Sequence, residues 1–133
     1  MIAFDANVLL RLLLDDDPPQ ARKAKAPLEQ TLSKSDKVLL PDIVLCEVEW
    51  VLSSVYKVPR AEIIETLRHL LEADEFAFLN RSAVSEALNA CRGGSADFSD
   101  YLVGATAAKA GAATTYTFDR ALRRTAGFSL PAR

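Results

Sequence analysis

Asp5, Glu47, Asp100 and Asp119 are spread over almost the full chain, yet each falls where a strand would end or a helix would begin. Asp5 follows the apolar run Ile2-Ala3-Phe4, and Asp119 follows Ala112-Ala113-Thr114-Thr115-Tyr116-Thr117-Phe118, so both acids stand just past the carboxyl end of a strand that reads as buried. In open α/β sheets that edge is where ligands bind. Carboxylates alone hold hard divalent cations well. Mg²⁺ and Mn²⁺ prefer oxygen donors and keep several waters, which leaves positions for a phosphate and a nucleophile. Two such ions about 4 Å apart can activate a water and stabilise the leaving oxygen of a phosphodiester. That chemistry needs no histidine.

Taken singly, these residues have blander explanations. Asp5, Asp97 and Asp119 all stand where an aspartate commonly caps a helix, and Asp97 with Asp100 has the spacing of a capping box. The helical face they share continues through Tyr101, Gly104, Ala107 and Ala108, mostly small residues that let backbones approach closely. Glu47 is the most informative acid. At 100° per residue it projects among Ile43, Val44, Trp50 and Val51, which predicts burial, while Glu49 falls near Ser53 and Tyr56 on a more polar side. A buried carboxylate needs a metal or an ion pair, and no lysine or arginine lies three or four residues away. Its partner is therefore a cation or a distant arginine.

Other chemistries fare worse. His69, the single histidine, projects with Glu62 and Glu65, away from Leu67 and Leu70, so a Ser-His or Cys-His mechanism has no usable imidazole. Cys46 and Cys91 match no zinc spacing and no disulfide framework, which suggests buried thiols in a reducing compartment. A phosphate-binding glycine loop and a dinucleotide fingerprint are both absent from the sequence. Asp15-Asp16-Asp17 reads as a solvated loop and helix cap, without calcium-loop spacing.

The elements that must position the acids alternate between strand and helix. Residues 2–4 read as a strand and 6–14 as a helix stopped before Pro18-Pro19. A polar helix follows over about 20–34, broken or kinked near Pro27, then the strand Val38-Leu39-Leu40 and a helix from Pro41-Asp42 to about Lys57. From Pro59 a further helix keeps Ile63, Ile64, Leu67, Leu70 and Leu71 on one face. Phe76 to Leu79 is a third strand, Ser82 to Cys91 helical, Gly93-Gly94 a loop, and Asp97 to Ala110 a helix ended by Gly111. The strand to Phe118, a short helix from Asp119 and an edge at Phe128-Ser129-Leu130 complete the order. Such alternation implies right-handed crossovers and a parallel sheet covered on both faces.

A chain of 133 residues, half of them hydrophobic, makes one ordinary globular domain over 1–133. Sixteen basic against 18 acidic residues give a net charge of -2, which argues against a basic nucleic-acid coat. It leaves room for nucleic acid at a cation-loaded acidic pocket. The start has no basic leader, and the leucines of residues 9–14 are interrupted by Arg11 and too few to span a bilayer, so a cytoplasmic protein with no membrane association is expected.

With those residues in view, the chain resembles a family. Residues 2–11 (Ile-Ala-Phe-Asp-Ala-Asn-Val-Leu-Leu-Arg), 45–52 (Leu-Cys-Glu-Val-Glu-Trp-Val-Leu), 97–103 (Asp-Phe-Ser-Asp-Tyr-Leu-Val) and 117–120 (Thr-Phe-Asp-Arg) look like the four motif regions of PIN-domain ribonucleases, in order and at the usual spacing. Within them the chain looks most like the VapC-type toxins of bacterial toxin–antitoxin pairs. The resemblance implies an α/β fold, a three-layer α/β/α sandwich with a central parallel sheet of four to five strands. It also implies Mg²⁺- or Mn²⁺-dependent RNA cleavage, a homodimer, and a small antitoxin protein as partner. Carried over residue by residue, the metal-site acids fall on Asp5, Glu47, Asp100 and Asp119, with Asp97 as an additional acid and Asn7 in support. Ala6 departs from the family's common threonine, which removes a hydroxyl and no ligand. Arg11, Arg92 and Arg120, each near a site acid or its loop, are candidates for RNA phosphates. The competing readings are a non-catalytic PIN-like module that binds a protein or nucleic acid, and a nuclease of the same chemistry acting on DNA. Retention of all four acids, with a buried Glu47, favours catalysis.

Overall fold

The structure, a computed structural model, describes residues 1–132. They gather into two compact units, one over Met1–Leu79 and one from Asn80 onward. Arg133, the last residue of the expected domain, lies outside the described residues.

The first unit is built on three parallel strands in the order β1 (Ile2–Ala3), β2 (Val38–Leu40) and β3 (Phe76–Phe78). Ile2 pairs with Val38 and Val38 with Phe76, and the Phe4 N–H extends the first ladder to the Leu39 carbonyl at 3.2 Å. Parallel neighbours need long crossovers. Helices α1 (Ala6–Leu14) and α2 (Pro18–Ser33) make the first, and α3 (Asp42–Ser54) and α4 (Arg60–Glu72) the second. Val38 and Leu40 on the central strand are fully buried, as an uninterrupted apolar run should be when both faces are covered. The stripe Ile63, Ile64, Leu67, Leu70 and Leu71 of α4 is buried as its periodicity predicts. The opposite face of α4 is solvated: Arg68 pairs with Glu65 and Glu72, and His69 is exposed.

Three expectations about helix bounds need correction. Pro18 and Pro19 do not precede α2 but open it, where a missing N–H costs nothing, with Asp17 capping the Gln20 N–H at 3.2 Å. Pro27 neither breaks nor ends that helix; α2 runs through it and forgoes one backbone bond. Helix α3 stops at Ser54, short of Lys57, which adopts a left-handed φ of 55°.

The second unit pairs α5 (Arg81–Gly93) with α6 (Phe98–Lys109), followed by β4 (Thr115–Tyr116), a 3₁₀ turn (Arg120–Leu122) and β5 (Phe128–Ser129). β4 and β5 are parallel, with Thr115 opposite Phe128. The small-residue face of α6 does what its composition suggests. A Cβ on Gly104 would lie 2.5 Å from the Phe128 ring, so any larger residue there would have to displace that ring. Gly111, at φ 99°, ends the α6 segment. The fold is thus α/β with parallel strands, and among the described residues these form a three-stranded and a two-stranded sheet. No helix among the described residues is long and apolar enough to cross a membrane.

Candidate functional site

The acids on the first unit are Asp5 and Glu47. Asp5 is the N-cap of α1: its Oδ1 accepts the Val8 N–H at 3.0 Å, and its Oδ2 accepts nothing among the described residues. The cap leaves a carboxylate oxygen available on an exposed side chain. Asn7, in the first turn, lines a groove of about 500 Å³ together with Arg11, Gln20 and Lys23.

Glu47 is not buried, and this overturns the expectation drawn from its helix. The projection among Ile43 and Trp50 holds, but that sector is not the core: Ile43 is 67 % and Trp50 64 % exposed. Helix α3 buries Val44, Leu45, Val48 and Leu52 instead. An apolar count around a helix cannot tell a core stripe from an apolar surface stripe when both are present. The distant arginine is also missing, because Glu47 makes no ion pair or hydrogen bond among the described residues. Glu49 is the more enclosed of the two glutamates, again opposite to expectation.

On the second unit, Asp97 and Asp100 form the expected capping box. Each side chain accepts the other's backbone N–H, with Asp97 N–H to Asp100 Oδ2 at 3.1 Å. The Oδ1 of Asp100 accepts no bond among the described residues. Asp119 caps the 3₁₀ turn through Oδ1, which accepts the Ala121 N–H at 2.9 Å, and its Oδ2 is likewise open. On the first unit Asp5 keeps one uncommitted oxygen and Glu47 an unengaged carboxylate, and on the second Asp100 and Asp119 each keep one uncommitted oxygen; these are oxygen donors of the type a hard divalent cation prefers. Among the described residues no three His, Cys, Asp or Glu side chains are gathered into a ready cation group.

The capping box separates two roles that share one turn of helix. Asp97→Ala is expected to cost about 1 kcal/mol through the lost cap, seen as a lower melting temperature. Asp100→Asn keeps an acceptor for the Asp97 N–H and should melt as the parent does while weakening the binding of a divalent cation. A calorimetric scan beside a Mn²⁺ titration reads both, and an Asp100→Asn that binds the cation as the parent does would remove Asp100 from the ligand set.

The arginines differ in availability. Arg11 is held by Asp16, whose Oδ1 lies 2.9 Å from its Nη1, while the Tyr56 hydroxyl donates to Asp16 Oδ2 at 3.1 Å. Asp16 is thus more than a solvated loop residue. Arg92 is exposed near the end of α5. Arg120 is exposed and makes no ion pair among the described residues, and the same is true of Arg123 and Arg124, which no motif in the sequence singles out. The exposure around Asp119 also departs from the expectation of a buried strand. Neither flanking strand is buried as its apolar run suggests: Ile2 is 40 % exposed, and Tyr116 and Phe118 are 68 % and 88 % exposed. Both strands are sheet edges. The alternation Thr115-Tyr116-Thr117-Phe118 was the available signal, since only every second residue of an edge strand faces one way.

A family model described as PIN domain matches residues 2–128, from β1 through the first residue of β5, and so includes every acid discussed above. No curated protein and no solved structure matches the chain.

Proposed function

The chain belongs to the PIN-domain family, and on that premise we propose that it is a Mg²⁺- or Mn²⁺-dependent endoribonuclease serving as the toxin of a toxin–antitoxin pair. PIN domains are generally nucleases and typically use divalent metals, so the coarse role is that of a nuclease. The observation that supports the finer reading is the state of the carboxylates: oxygen-only donors, with one oxygen left uncommitted by capping on each of Asp5, Asp100 and Asp119 and the whole carboxylate of Glu47 unengaged among the described residues. Asp5, Glu47, Asp100 and Asp119 would hold the metal, with Asp97 as an additional acid. Bound there, the cation would supply Lewis-acid charge and lower the pKa of water near the scissile phosphate. The chain's own part is to keep those oxygens oriented. The Val8, Asp97 and Ala121 N–H groups each fix one oxygen of a carboxylate and so aim the other.

The toxin role is supported by the surface that surrounds Glu47. Ile43 and Trp50, four residues before it and three after, present exposed apolar side chains on one face of α3, and Val55 is 58 % exposed beyond them. A small protein that lays an amphipathic helix on this face would cover Glu47 as it buried them. Under this proposal the protein is a cytoplasmic homodimer held inactive by such a partner. We expect a small protein encoded beside this one to co-purify with it and to suppress its cleavage of RNA. Growth arrest that persists at full strength when that neighbour is co-expressed would contradict the toxin role.

A further inference from the structure

We infer that Tyr116 and Phe118, with Arg120, Arg123 and Arg124, form a stacking platform for the bases of single-stranded RNA beside Asp119. The inference deepens the nuclease reading and rests on it. Its starting point is the near-complete exposure of Phe118, 88 %, on the residue before a site acid. Thr117 donates its N–H to the Ser129 carbonyl at 2.9 Å, so the β4 ladder continues one residue beyond Tyr116. Side chains two apart on such a strand share a side, and the burial pattern agrees, with Tyr116 and Phe118 exposed and Thr115 and Thr117 half-buried.

The spacing suits a base. Two residues of extended chain span roughly 6.6 Å, about twice the 3.4 Å rise of one nucleotide along a strand. A base between the two rings would stack on both. The electrostatics point the same way. Arg120, Arg123 and Arg124 follow directly, all exposed and none in an ion pair among the described residues, against the single acid Asp119. Aromatic faces interleaved with uncommitted arginines are what sequence-tolerant single-strand binding uses: stacking for the bases, cations for the backbone. An apolar partner protein would leave three arginines to desolvate without counter-charge, which disfavours it here. A duplex, with its bases already stacked, has no use for the rings.

The test is binding of a fluorescein-labelled single-stranded RNA to the full chain in EDTA, where affinity is read without cleavage. A second probe is the same strand with an abasic nucleotide at each position in turn. Phe118→Ala should weaken binding on the order of tenfold, Phe118→Leu equally, and Phe118→Trp little, since only Trp restores an aromatic face. The loss should vanish on the strand whose abasic position faces the platform. Arg123→Gln/Arg124→Gln should weaken every strand alike and flatten the salt dependence by roughly 0.7 for each phosphate left without its cation. Phe118 is exposed, so none of these variants threatens the core. The platform is overturned if Phe118→Leu binds as tightly as the parent, if Phe118→Ala changes only the oligomeric state, or if the parent does not bind the strand. Phe118-dependent binding without cleavage in Mg²⁺ or Mn²⁺ would keep the platform and overturn the nuclease reading instead.

Discussion

Glu47→Gln should abolish RNA cleavage at an unchanged melting temperature, while Glu49→Gln stays within a few-fold of the parent. The two glutamates sit on one helix, two residues apart, and differ in what surrounds them. Glu47 is exposed and carries no ion pair among the described residues, so the amide costs the fold little. Exposed substitutions of this kind usually fall within about 0.5 kcal/mol. The amide is nearly isosteric and uncharged, so what it removes is the negative donor. Changes in the outer shell of a metal site already cost about 10–100-fold, and a direct ligand should cost more. Glu49 is half-buried and engaged by its own neighbours, so its substitution is expected to show in stability before activity. A normal rate for Glu47→Gln, or a dead Glu49→Gln, would place the ligand on the wrong side of α3.

Burial of Glu47 was the sequence's reason to prefer an enzyme over a non-catalytic binding module, yet the residue is exposed. What now distinguishes it is an unengaged carboxylate between two exposed apolar residues, Ile43 and Trp50. Activity measurements, and not burial, separate the two readings.

Local signals were legible wherever a single segment contained all of its own physics. The bounds of α1 follow from Asp5 at its start and the turn at Asp15, and the core face of α4 from its spacing. The capping box of Asp97 and Asp100 and the close approach at Gly104 belong to the same class. What stayed hidden depends on partners distant in sequence. Tyr56 reaches Asp16 across forty residues, and no pattern in either segment announces the other. The apolar runs at Ile2 and Phe118 look alike in a core strand and an edge strand, because composition does not record how many neighbours a strand has. Pro27 misled for the opposite reason: a helix break is a local penalty, whereas α2 continues through Pro27 with Ala21, Ala24 and Thr31 buried on either side of it.

Withdrawal of the metal tests the central claim most directly. Purified protein, freed of any partner, is incubated with single-stranded RNA in Mg²⁺ or Mn²⁺, in excess EDTA, and in EDTA followed by restored metal. The carboxylates have no histidine to substitute for the cation, since His69 lies exposed on the solvated face of α4 beside Glu65. Cleavage should therefore proceed with either ion, fall to background in the chelator and return when the metal does. Equal cleavage in excess EDTA would contradict the account at its root.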